Sequence, residues 1–414
     1  MSKSQPESGK TSSTHLHPVA KRLMAAKTMR SIGQGIMLVD LALYLHELNW
    51  PATAIGAVLT AGGLVSVVLV LFVGVLSDRL GRKPFLLFYE FLTAACALIG
   101  VFTTNGILLF AAIAFAGFGR GQTGSPGPFA PAEQAWLAAY VPGEKRGNVY
   151  SVNNALGFFG MATGALLAGA TVLWDNELPG ALAYRPLFAL IVILSLVTAA
   201  IIATTRGEKV EKPEIIQNEK AKIEEKEVSR RENRSILKLV SINVINGIAV
   251  GLTGPMVSYW FAIKFGVSNA QIGTTLAITF FATGFSSLLQ AKLAGKFGMV
   301  RSVMWMRIIG SILMLLLPLL PTYVLVSFVY IVRSAVNRGT QGARQALSVS
   351  LTRDRRRGFA SSVNSLSMRV PTSVGPYVTG YLFEIGALAA PFYIAGVLQL
   401  GFAYLYGRTF RSYN

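Results

Sequence analysis

Gly74-Val75-Leu76-Ser77-Asp78-Arg79-Leu80-Gly81-Arg82-Lys83 separates two long apolar runs, and its reading decides how the rest of the chain is understood. Gly74 allows a neighbouring helix to approach closely. Gly81 supplies the backbone freedom for a tight reversal. Asp78 is an anion placed to bond an adjacent helix N-terminus or an arginine, and Arg82 and Lys83 can reach the lipid interface along their apolar stems. A plain turn decorated with basic residues explains the arginines and the lysine but not Asp78 or the two glycines. Gly74, Asp78, Arg79, Gly81, Arg82 and Lys83 therefore form a candidate gate that closes in one conformation and breaks in another.

The apolar runs on either side are part of a general pattern. Of 414 residues 52% are hydrophobic and 14% charged, with 38 Lys+Arg against 19 Asp+Glu for a formal charge of +19. A soluble domain is about a quarter charged, and disorder requires far less apolar content. Net basicity can signal a nucleic-acid footprint, but here the basic residues sit in short clusters between apolar runs, as membrane insertion requires, so no nucleic-acid partner is expected. Stretches of about 20 apolar residues, long enough to cross a bilayer core, number twelve: 29–49, 53–77, 83–103, 106–139, 147–173, 184–205, 236–262, 269–293, 300–319, 322–350, 358–386 and 389–408. Helices are the expected element, because an open sheet leaves backbone groups unpaired in lipid.

Basic clusters fall before span 1 (Lys21, Arg22, Lys27, Arg30) and between spans 2 and 3, 4 and 5, 8 and 9, and 10 and 11, then after span 12. The positive-inside rule places all of them, and both termini, in the cytoplasm, where contact with anionic lipid head groups is expected. The expected organisation is an all-α membrane protein: a cytoplasmic tail 1–28, a six-helix bundle 29–205, a charged cytoplasmic linker 206–235, a second six-helix bundle 236–408 and a tail 409–414. The linker alternates Lys, Arg and Glu without an apolar face and reads first as a connector. Lone Cys96 forms no intramolecular disulfide and reads as a small packing residue.

The two halves repeat each other. Gly119-Arg120-Gly121-Gln122-Thr123-Gly124 matches Asn337-Arg338-Gly339-Thr340-Gln341-Gly342. After a short insertion, Pro131-Ala132-Glu133-Gln134-Ala135 aligns with Gly342-Ala343-Arg344-Gln345-Ala346. The register then holds for Arg146-Gly147 with Arg357-Gly358, Ser151-Val152-Asn153 with Ser362-Val363-Asn364, Gly164 with Gly375, and Gly169 with Gly380. Paired repeats of this kind hold a substrate near the midplane between them.

The Gly74–Lys83 segment resembles the signature between helices 2 and 3 of the major facilitator superfamily, with an echo at Gly295-Lys296-Phe297-Gly298, and the resemblance covers residues 29–408. It implies an alternating-access transporter in which Asp78, Arg79 and Arg82 latch the cytoplasmic side, and a monomer. The Arg120 region resembles the helix 4 motif of drug:proton antiporters in that superfamily, with its Gln and Gly displaced by one place. The antiporters' helix 5 glycine-proline motif is only partly matched: Gly160, Gly164 and Gly169 fit, Ala165 and Ala168 depart from it, and the Gly-Pro pair stands instead at Gly375-Pro376.

Ionisable groups at membrane depth mark function by default. Eight of the 19 acids lie in 206–234 and most others in tails or loops, which leaves Asp40, Glu90 and Glu133 as the candidates within the spans. Asp40 is roughly 16 Å from the inner end of span 1 and Arg120 about 21 Å from the outer end of span 4, at 1.5 Å per residue. A carboxylate near a fixed guanidinium changes protonation when substrate or helix movement alters either influence, so Asp40 and Arg120 are candidates for proton coupling; a purely structural pair is the competing reading. Arg333, Arg338 and Arg369, with Arg307, also fall near the midplane, and guanidinium forks suit carboxylate or phosphate. Tyr44, Tyr259 and Trp260 are candidate aromatic walls, Trp260 being expected at the outer boundary. His46 and Glu47 lack further ligands for a metal, and no phosphate-binding loop, zinc spacing or nucleophile elbow occurs.

The expectation is a secondary transporter in the plasma membrane, neither an enzyme nor cofactor-dependent, exporting small lipophilic or drug-like molecules against protons. The alternatives are a carrier of small organic anions using Arg333, Arg338 and Arg369, and a non-transporting sensor with the linker as its output.

Overall fold

The computed structural model describes residues 16–120, 127–141, 146–174, 176–206, 219–350 and 357–411. Among them every long element is helical: α1 (Pro18–Glu47), α2 (Ala52–Leu80), α3 (Lys83–Phe102), α4 (Gly106–Ala116), α5 (Ala130–Ala139), α6 (Arg146–Ala168), α7 (Arg185–Ala203), α8 (Glu219–Thr253), α9 (Val257–Phe265), α10 (Asn269–Phe297), α11 (Met299–Leu316), α12 (Tyr323–Gly339), α13 (Gln341–Ser350), α14 (Arg357–Glu384) and α15 (Ala390–Thr409). Local chemistry sets the ends. Asn105 caps α4 by accepting from the backbone of Ile107 and Leu108, Ser268 and Gln271 form a capping box on α10, and Gly117 and Gly266 end α4 and α9 in the left-handed region.

Three predicted spans are not single helices. Span 4 divides into α4 and α5, joined through residues 117–129, because Gly117 and Gly119 take φ of 68° and 75° and stop the helix. Span 7 breaks at residues 254–256 between α8 and α9, and span 10 at Thr340 between α12 and α13. Among the described residues, seven stretches are long and apolar enough to cross a membrane by themselves. Spans 1, 4, 10, 11 and 12 are not among them; of these, 4 and 10 are broken. The helix α8 starts at Glu219, inside the expected linker, whose residues 207–218 lie outside those described.

Helix α1 packs on α6, and α8 on α14, through glycines. A Cβ on Gly35 would strike the carbonyl of Met161, and one on Gly164 that of Ile32; a Cβ on Gly251 would meet Thr372 O at 2.7 Å, and one on Gly375 the backbone of Gly251. Close approach without side chains between is what holds helices together in lipid. The halves then meet along α2 with α14 and α6 with α10. Phe72, Phe88, Phe102, Ile107, Leu173, Val324 and Phe328 are largely exposed on the outside of the bundle, a surface suited to hydrocarbon.

The core is distributed unevenly. At the end bearing Tyr44, Ala52, Tyr184, Trp260 and Phe392, one apolar cluster is continuous across both halves. At the opposite end there are two separate clusters, one in each half: Leu23, Leu86, Phe129 and Trp136 in the first, Leu239, Val303, Phe402 and Tyr406 in the second. The joined end also carries polar contacts between halves: Ser258 Oγ donates to Leu38 O at 2.9 Å, Asn269 Nδ2 to Tyr184 Oη at 2.7 Å, and Thr53 N to Glu384 Oε2 at 3.1 Å.

Candidate functional site

Two arginines cross between the halves. Arg120, just past the left-handed Gly117 and Gly119, lies over Gly63 of α2, where any Cβ would collide with it, and reaches Ser373 Oγ of α14 at 3.3 Å and Leu59 O at 3.5 Å. Arg369 of α14 reaches the other way, donating to Ser66 Oγ at 3.1 Å and Gly127 O at 2.8 Å. Ser373, which Arg120 reaches, lies one turn from Arg369 on α14 and donates to its carbonyl at 2.6 Å. Neither arginine forms an ion pair with a described residue.

Asp40 is completely buried in α1, and neither carboxylate oxygen has a hydrogen-bond partner. The structure does not bring it to Arg120. Rise along an axis fixes depth but not azimuth, and the turn at Gly117–Gly119 directs Arg120 toward α2 and α14 instead. Tyr44, one turn on, is buried as well; its ring packs against Tyr184 and Phe188 with centroids 5.4 and 5.2 Å away, so it belongs to the joined apolar core.

A buried ion-pair network was missed from sequence. Arg30, counted with the cytoplasmic positive charges, is 6% exposed and pairs through Nε with Glu90 at 2.6 Å and through Nη1 with Glu133 at 2.9 Å. Two acids at membrane depth without an assigned cation were the available signal. A cavity of about 30 Å³, lined by Arg30, Gln34, Tyr89, Thr93, Arg120 and Ser195, lies between this network and Arg120, with room for a water or two.

The remaining predicted arginines turn into the second half. Arg333 is buried and bonds Gln399 Oε1 at 3.5 Å, and Arg338 lies 5.5 Å from the centre of the Phe280 ring. Only Arg369 of the predicted three reaches the first half. Trp260 does not face lipid: it is fully buried among Phe261, Phe265 and Phe392, with Lys264 over its ring. In the gate segment Gly81 reverses the chain with φ 88° and ψ 157°, and Lys83 Nζ donates to the carbonyls of Ala203 and Thr205 at the end of α7 instead of standing in lipid. Gly74, Asp78 and Arg79 lie in the last turns of α2, with side chains outside the described set.

A glycine-paired helical duplication, with ionisable groups buried between and within the halves, defines a multi-pass carrier. The chain belongs to the Major Facilitator Superfamily, whose family profile matches residues 23–243 and 239–411; members are membrane transporters of small molecules, not enzymes. The chain is 24% identical over 412 residues to an uncharacterized membrane protein of Saccharomyces cerevisiae, covering 92% of this chain and 91% of that one. It is 22% identical over 373 residues to the quinolone resistance protein NorA of Staphylococcus aureus, covering 88% and 89%. The crystal structure of the nucleoside transporter NupG superposes with a TM-score of 0.65 at 15% identity, over 95% of this chain and all of that one.

Proposed function

We propose that the protein is a twelve-span, monomeric secondary transporter of the plasma membrane with both termini cytoplasmic, exporting small lipophilic or drug-like molecules in exchange for protons. The observation that carries this reading is Asp40, a carboxyl enclosed in α1 with no hydrogen-bond partner. Ionising a carboxyl enclosed without a hydrogen-bond partner is costly; when the halves separate and water enters, it can release a proton. Ser258 of the second half bonds Leu38 O only two residues away, which ties this proton step to movement of one half against the other. The likeness to a quinolone resistance protein supports a drug-like substrate. With the basic end cytoplasmic, the joined apolar end is the external seal and the Gly74–Lys83 segment an internal gate. Uptake into reconstituted vesicles under an imposed pH gradient tests the coupling: Asp40→Asn is expected to abolish uphill transport, and native-rate uphill transport in that variant refutes it.

A second reading, transport of organic anions, draws on the Arg120–Arg369 pair, two guanidiniums from opposite halves without a described carboxylate between them. Arg369→Gln and Arg120→Gln that shift substrate preference from anionic toward neutral compounds would favour it.

A further inference from the structure

The internal repeat lets the Arg30 network be compared with its counterpart in the second half, position by position. Arg30 stands five residues before Gly35, and Asn246 five before Gly251, the glycines at the two equivalent helix crossings. Glu90 stands nine residues after Gly81 and Arg307 nine after Gly298, turn glycines with matching dihedrals of 88°, 157° and 84°, 149°. Glu133 aligns with Arg344 in the repeat already described. The socket is thus built twice with inverted charge. The first half holds one cation between two carboxylates. The second holds cations at both carboxylate positions and a neutral amide at the cation's.

Among the described residues the second socket has no anion of its own. Arg307 is 2% exposed; its Nε donates to Thr340 Oγ1 at 3.2 Å and its Nη1 to Asn246 Oδ1 at 2.9 Å. Arg307 and Arg344 both lie over the Phe402 ring, 5.1 and 5.8 Å from its centre. One turn earlier on α15, Gln399 accepts from Arg333 at 3.5 Å, which places this third arginine beside the ring that Arg307 and Arg344 share. Every one of these partners is neutral, and the Nε atoms of Arg333 and Arg344 are buried without any partner. Uncompensated charge at such depth is costly unless paired. We propose that Arg307, Arg333 and Arg344 hold a compact inorganic anion, a halide or phosphate, which does for the second half what Glu90 and Glu133 do for the first. This site is separate from the Arg120–Arg369 pair and does not depend on what the protein transports.

The test is thermal unfolding of the purified full-length protein at constant ionic strength, with gluconate replaced by chloride or by inorganic phosphate. The native melting midpoint should rise with the logarithm of the anion concentration. Arg344→Gln should weaken the apparent anion affinity about tenfold or more. Arg344→Glu, which supplies the carboxylate found at Glu133, should be at least as stable as the native chain in gluconate and no longer respond to added anion. The proposal is overturned if the native protein shows no response to either anion, if Arg344→Glu responds as the native chain does, or if only vesicles containing phosphatidylglycerol, and neither inorganic anion, raise the midpoint.

Discussion

Arg369 of α14 donates from Nη1 to Ser66 Oγ of α2 at 3.1 Å, so a guanidinium rooted in the second half is held by the first. Arg120 crosses in the opposite direction to Ser373. Any movement that parts the first half from α14 must break both contacts together.

Arg369→Lys tests the fork. Lysine keeps the charge but cannot span Ser66 Oγ and Gly127 O from one planar group. Transport is expected to fall at least tenfold, matching the loss of one charge-assisted hydrogen bond of about 1.5–3 kcal/mol, while the amount of folded protein in the membrane stays near native. Initial rates normalised to protein amount measure this.

Arg30→Gln leaves Glu90 and Glu133 facing each other in a buried site. Removing one member of a buried charge pair costs about 3–5 kcal/mol. The triple variant with Glu90→Gln and Glu133→Gln removes the three charges of the two ion pairs, leaving Lys27 with its bond to Asn154 Oδ1, and should recover most of the lost melting temperature. If single and triple variants melt alike, the network does not contribute through its charge.

Asp40→Asn should behave in the opposite way. The carboxyl makes no hydrogen bond in the fold, so the variant is expected to melt at or above the native temperature even as it loses uphill transport. A marked fall in stability would mean that Asp40 is structural.

Gly164→Ala places a methyl against the carbonyl of Ile32, where backbone, not a movable side chain, stands in the way. Gly401→Ala meets nothing within 4 Å. The first is expected to reduce folded yield severely and the second to leave it unchanged, as read by size-exclusion profile and melting.

Residue type and spacing make parts of this molecule legible and hide others. The duplication could be read because glycines at helix crossings tolerate no substitute, so Gly164 and Gly375 mark register through otherwise divergent sequence. Buried Asp40 could be found because a carboxylate in an apolar run is conspicuous. The Arg30 network could not, because an arginine near a span's end satisfies the positive-inside pattern whether it points to water or to Glu90. Pairing of Asp40 with Arg120 was inferred from depth alone, and which way a helix faces is set by packing, here by Gly117 and Gly119 ending α4. Trp260 was misread for the same reason: an aromatic near a span's end suits an interface or a core equally well.

The joined apolar core at the Tyr44–Trp260 end also governs how temperature acts on the protein. Parting the halves there wets the apolar surface of both at once, a change with a large positive heat capacity. Such a seal weakens on cooling, since apolar hydration is opposed by entropy near room temperature. The balance between sealed and open forms should therefore follow a curved rather than linear van 't Hoff plot, with the cold favouring the form that exposes this surface.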